Sequence, residues 1–111
     1  MRNPCSRYLQ NRDCEEFVLC VLRQKGYEII EYDAHGYDIL ARYPGGLYDY
    51  YIEVKCGLEA RLSEFQKLYR MAIKEIAPKV GYNARYVICH FDDDGTLIGD
   101  EACRRLLRGY I

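Results

Sequence analysis

Apolar positions recur along this chain with two different periods. Over residues 13–25, Phe17, Val18, Val21 and Leu22 repeat at helical spacing, which predicts an amphipathic helix. Asp13 stands at its N-cap and Gly26 at the C′ position where such helices end. Residues 27–33, 37–43 and 47–56 alternate instead, broken by His35-Gly36 and by Pro44, Gly45 and Gly46. Alternation predicts three strands, and breaks this short predict antiparallel neighbours. Helical spacing returns over 63–77 through Phe65, Leu68, Tyr69, Ala72 and Ile76. There Ser63 and Gln66 form a capping box, and Pro78 closes the helix. Residues 84–91 read as a fourth strand. A turn on Asp94-Gly95, a short return strand over 96–99 and a helix capped by Asp100 and running to about residue 108 complete the chain.

These elements predict an α/β fold, a mixed sheet flanked by helices in the order α-β-β-β-α-β-β-α. The helix between the third and fourth strands implies a crossover, so the fourth strand is expected parallel to its neighbour. With 111 residues, one domain spanning 1–111 is expected. Residues 1–10 are read as a loose arm or a short helical turn. A core this small leaves thin stability reserves, which makes a homodimer a reasonable expectation.

Composition narrows the function classes only a little. No apolar run reaches the 18 residues a membrane helix needs, and the N-terminal segment lacks the apolar stretch of a secretory signal. An intracellular, cytoplasmic location follows as the expectation. In that setting the six cysteines are expected to be free buried thiols, with disulfides kept open as the exception seen in hyperthermophiles. No CxxC pair occurs and the two histidines lie at no zinc-like spacing, which speaks against zinc. Net charge is −1, so nucleic acid as a partner would need a local basic patch. Two sets of cations qualify. One is Arg61, Lys67, Arg70 and Lys74 on or beside the second predicted helix; the other is Arg104, Arg105 and Arg108 in the last.

Candidate chemistry centres on YYIEVKCG, residues 50–57. Tyr51, Glu53 and Lys55 share one face of the strand, and Tyr50, Ile52 and Val54 the other. Counting back around the Pro44–Gly46 turn places Asp38 opposite Glu53 or a near neighbour, about 5 Å away. Two carboxylates at that separation can share a divalent ion, and Lys55 can reach a phosphate oxygen or a water held there. Alone, an acid, one residue and a lysine are also compatible with a solvated strand face carrying an incidental ion pair.

The series GYDIL, YIEVKCG and LSEFQ resembles the restriction-endonuclease-like PD-(D/E)xK superfamily, and CEEFVLCVLRQKGYEII resembles the first helix of its small nucleases. The likeness runs over roughly residues 13–92. It implies a restriction-endonuclease-like fold and a deoxyribonuclease dependent on Mg²⁺ or Mn²⁺, with DNA as partner. By the same resemblance Asp38 and Glu53 bind the metal together with the Val54 carbonyl, and Lys55 stabilises charge and positions the attacking water. Glu15 matches a first-helix acid, although Glu16 is an alternative for the inward position. Gln66 matches a polar helix position that supports the site, and it is also the capping-box partner. Tyr37 stands where the family motif has a proline, a proline that many members also lack. The alternative within the same fold is a DNA-binding or assembly module without turnover. His35, beside the turn, is either a substrate contact or a loop residue without a role.

Overall fold

The computed structural model describes residues 3–34 and 36–111; His35 lies outside them. Two helices come first, α1 (Ser6–Gln10) and α2 (Cys14–Gln24). Strands β1 (Glu28–Ala34), β2 (Tyr37–Arg42) and β3 (Asp49–Cys56) follow, then helix α3 (Glu64–Met71). After α3 the backbone widens into a π-helical turn over Ala72–Ile76 and tightens into a 3₁₀ turn over Ala77–Val80. Strands β4 (Ala84–Phe91) and β5 (Leu97–Ile98) and helix α4 (Glu101–Leu106) end the chain.

The five strands form one sheet in the order β1-β2-β3-β4-β5. The first three are antiparallel, β4 runs parallel to β3, and β5 turns back antiparallel. The parallel pair is the outcome the strand–helix–strand reading requires. Residues 63–77 do not form one uniform helix, however. Pro78 has no N–H to offer the carbonyl four residues back and its ring crowds that carbonyl, so the ladder changes pitch as it approaches the proline.

Side-chain alternation sends the sheet's two faces into separate clusters. Ile39, Ala41, Ile52, Val87, Cys89 and Phe91 pack with Phe17, Val18, Val21 and Leu22 of α2 and with Cys103 and Leu106 of α4. The opposite face carries Tyr37, Tyr51 and Ile73, with Leu40, Tyr69 and Tyr86 against them. Helix α3 and its π extension therefore cover one side, and α2 and α4 the other. Several of the tyrosines serve this packing: Tyr37 lies edge-on to Tyr51, and Tyr51 and Tyr82 join hydroxyls at 2.7 Å. Tyr82 in turn donates to Asp49, which Arg42 grips through two nitrogens at 2.6 and 2.9 Å. The Arg42 guanidinium holds the Asp49 carboxyl below its usual range, aided by the Tyr82 hydroxyl.

One sequence expectation needs correction, and two hold in part. The cysteines are not free thiols: they pair as Cys5–Cys20, Cys14–Cys56 and Cys89–Cys103. Of the two readings of the N-terminal arm, the helical one holds for the described part: Ser6–Gln10 is a short helix, Cys5 is fully buried and its disulfide ties α1 to α2. Asp13 sits at the N-cap of α2 without making a side-chain capping bond. The helix start is fixed instead by the covalent link at Cys14.

Gly36 fixes the seating of α3 on the β1–β2 end of the sheet. Its φ is +88°, and an added Cβ would lie 2.6 Å from Cδ2 of Tyr69. Gly36→Ala is expected to cost about 2 kcal/mol or more in urea denaturation, from backbone strain and a displaced ring together. A loss below about 0.5 kcal/mol would mean that Tyr69 does not need this seat.

Candidate functional site

Glu53 is the focus of the site. It lies in the middle of β3, a central strand paired on both sides, and is only 2% exposed. The β2–β3 register pairs Ile39 with Ile52, so one step further Asp38 faces Glu53. On the outer side, β1 pairs Tyr32 with Ile39 and Ala34 with Tyr37, which places Asp33 across from Asp38. Three neighbouring strands thus contribute an acid each to one row.

Each group has a definite setting. One oxygen of Asp38, Oδ2, accepts the Val54 N–H at 2.7 Å. Lys55 brings Nζ to 3.3 Å from Oε1 of Glu53. The other Glu53 oxygen, Oε2, is buried with no hydrogen-bond partner among the described residues. Burial, and then the charge and close contact of Asp38, push the Glu53 carboxyl up from 4.5 to about 7 against the opposing pull of Lys55. Glu15, in the first turn of α2, is also pushed up to about 7, first by burial, then by Asp38 and Asp33. The Cys14–Cys56 disulfide explains its position, since it clamps the residue before Glu15 to the residue after Lys55.

Such a gathering of carboxyl groups is unfavourable without protons or cations to occupy the space between them. Among the described residues, no three His, Cys, Asp or Glu side chains surround a single metal position. A cation here would rest on Asp38 and Glu53, with the Val54 carbonyl and water. That carbonyl leaves the strand on the same side as the Val54 N–H, toward Asp38. Magnesium is commonly held by one or two carboxylates and keeps several waters. The unpartnered Glu53 oxygen and the all-oxygen donors fit such an ion.

Among the predicted site residues, the structure brings together Asp38, Glu53, Lys55, Val54 and Glu15, while Glu16 is exposed. Gln66 is committed elsewhere: its carboxamide oxygen accepts the Ser63 N–H at 2.8 Å, and its own N–H donates to the Ser63 hydroxyl. Arg70 lies on the same side of the sheet as Glu53 and acts electrostatically on Tyr86, which also feels Glu53 and Asp38. Lys67 pairs with Glu64 on an exposed turn of α3, and Arg61 folds back on the carbonyls of Leu58 and Ala60. Arg104, Arg105 and Arg108 lie on or just after α4, whose buried residues join the opposite face of the sheet. Arg104 donates to the Leu97 carbonyl there, and Arg105 lies 3.9 Å from Glu101. The last helix therefore does not deliver its cations to the acid row.

No family model matches the chain, and neither a curated protein nor a solved structure does. The residues of the site are thus read on their own chemistry.

Asp33 escaped the sequence reading. It has φ +59°, a conformation few non-glycine residues other than Asp and Asn accept, inside a paired strand. The register between β1 and β2, with Tyr32 opposite Ile39 and Ala34 opposite Tyr37, pairs it with Asp38.

Proposed function

We propose that this chain is a metal-dependent nuclease of restriction-endonuclease-like type that hydrolyses DNA phosphodiester bonds. The observation that carries the reading is the Glu53 carboxyl buried at the centre of the sheet, facing Asp38 and flanked by the Lys55 ammonium. A stability-driven protein has little reason to bury that combination at the centre of a sheet. Three antiparallel strands with the acid pair between the second and third, followed by a helical crossover to a parallel fourth, also agree with the resemblance in the sequence.

Asp38, Glu53 and the Val54 carbonyl would hold Mg²⁺ or Mn²⁺, and Glu15 lies close enough to support them. When bound, the ion supplies Lewis-acid polarisation of the phosphate and offsets its charge. The protein's own groups do the rest. The Val54 N–H fixes one oxygen of Asp38, and Lys55 is held ready to donate to a phosphate oxygen as negative charge builds. In the reaction the water oxygen bonds to phosphorus and gives up a proton to solvent, the bond to the leaving ester oxygen breaks, and that oxygen takes up a proton from solvent. Glu15 keeps a proton close to neutral pH and is placed at the margin of the acid group.

Purified protein incubated with supercoiled and oligonucleotide DNA is expected to cut only with Mg²⁺ or Mn²⁺ present, and EDTA is expected to stop it. Binding of either ion should also raise the melting temperature. At a hundredfold excess over Kd the gain is about 2.7 kcal/mol, and Asp38→Asn should remove most of it. DNA binding with no cleavage and no thermal response to either metal would favour a module that binds without turnover.

A further inference from the structure

Beside the acid row, on the same face of the sheet, lies an open cleft of about 550 Å³. Its floor is β4, where Tyr86, Ile88 and His90 stand in register with Tyr51, Glu53 and Lys55 of β3. Neighbouring strands are separated by about 4.8 Å, so the floor begins one strand away from the proposed site. Arg70, Ile73 and Lys74 form one wall, where α3 passes into the π-helical turn. Among the described residues neither Arg70 nor Lys74 belongs to an ion pair.

The negative group of the cleft is Asp100, whose two oxygens are both engaged by the fold. Asp100 accepts the Ile88 N–H with one oxygen and the Ala102 N–H with the other. Arg85 borders the cleft too, but its guanidinium stacks over Tyr48, 4.3 Å from the ring centre. The charged lining is therefore net cationic, Arg70, Lys74 and Arg85 against Asp100, with the two cations outside ion pairs on one wall, while Ile73, Ile88 and the Tyr86 ring supply apolar surface. Tyr86 is held in place by its hydroxyl, which donates to the Gly36 carbonyl at 2.7 Å.

We infer that this cleft receives an unpaired strand of DNA next to the scissile phosphate, so that the substrate is single-stranded at the point of cutting. The inference rests on the nuclease reading and narrows its substrate. The volume suits a small ligand of about one or two nucleotides, whereas a paired duplex can only lie across the mouth. Cations along one wall facing an apolar floor match the two needs of a single strand, phosphate neutralisation and a surface for the base.

The test separates binding from cutting. Fluorescence anisotropy of a labelled oligodeoxythymidylate and of a blunt hairpin duplex is followed over a salt series, in EDTA, for the wild type and for Arg70→Ala/Lys74→Ala. The single strand is expected to bind about tenfold tighter than the duplex. The double substitution should flatten its log–log salt dependence by about 1.4, as expected for two lost phosphate contacts, with the melting temperature unchanged. Equal affinity for both DNAs, no binding of the oligonucleotide, or an unchanged slope in the variant would overturn the inference. Cleavage assays with Mg²⁺ then judge the two ideas apart. Cutting of blunt duplex as fast as single strand would defeat the cleft assignment and leave the nuclease standing. Cation-wall-dependent single-strand binding by a wild type that never cuts would defeat the nuclease and leave the cleft as a binding site.

Discussion

Glu53→Gln is expected to yield a protein that is more stable than the wild type at pH 8 and at least about a thousandfold less active. The stability half follows from linkage. The folded protein keeps the Glu53 proton up to about pH 7, whereas the unfolded chain releases it near 4.5. The folded state thus binds more protons across that interval. The stabilisation is complete below about pH 4.5 and is lost as pH rises through 7. Glutamine has no proton to lose, and its amide can donate to the Asp38 carboxylate that repels the native side chain. The gain at pH 8 is on the order of 2 kcal/mol, shrinking toward zero at pH 4.5. Urea denaturation of both proteins at the two pH values, without divalent metal, measures it. A variant less stable than the wild type at pH 8 would show that Glu53 is paired favourably and is not held at a cost. Lys55→Ala should also lose activity, by about a hundredfold or more, but without the stability gain. It removes the cation that eases the burial of Glu53.

Complete reduction of the disulfides is expected to bring the protein close to unfolding at room temperature. The bridges close segments with sequence separations of 15, 42 and 14 residues. Chain-entropy arguments assign roughly 3, 4 and 3 kcal/mol to loops of these lengths. Their combined effect is comparable with the whole net stability of a typical domain, about 5–15 kcal/mol. Melting curves with and without a phosphine reductant, alongside a count of free thiols, decide the matter. A melting temperature unchanged after six thiols are titrated would mean that noncovalent packing alone suffices. Cys14→Ser/Cys56→Ser should take the largest single share. It should also loosen Glu15, because that bridge ties the start of α2 covalently to the end of β3.

Local alternation was enough to place the heart of the site. Glu53 and Lys55 share a face because strand side chains alternate. Asp38 faces Glu53 because the Pro44–Gly46 turn leaves little freedom of register, as the Ile39–Ile52 pairing confirms. The β3–β4 parallel pair likewise followed from the intervening helix. What stayed hidden depended on contacts between distant segments. No local spacing reveals that Cys14 meets Cys56 across 42 positions, and reasoning from compartment alone led to free thiols. Nor does the pattern of 100–108 say on which side of the sheet its helix docks, so the arginines of α4 looked as eligible as those of α3. The ambiguity of Gln66 was decided by the Ser63 N–H, a partner three residues away that its side chain reaches.

The irregular course of β1 has an outcome for the molecule's neighbours. As the outermost strand it turns one row of amides and carbonyls away from the sheet, an invitation for another chain to zip onto it. Its pairing slips between Ile29 and Glu31, and Asp33 takes a left-handed backbone. A straight incoming strand cannot stay in step past either kink, so the same feature that admits an extra acid to the row also guards this border against runaway self-association.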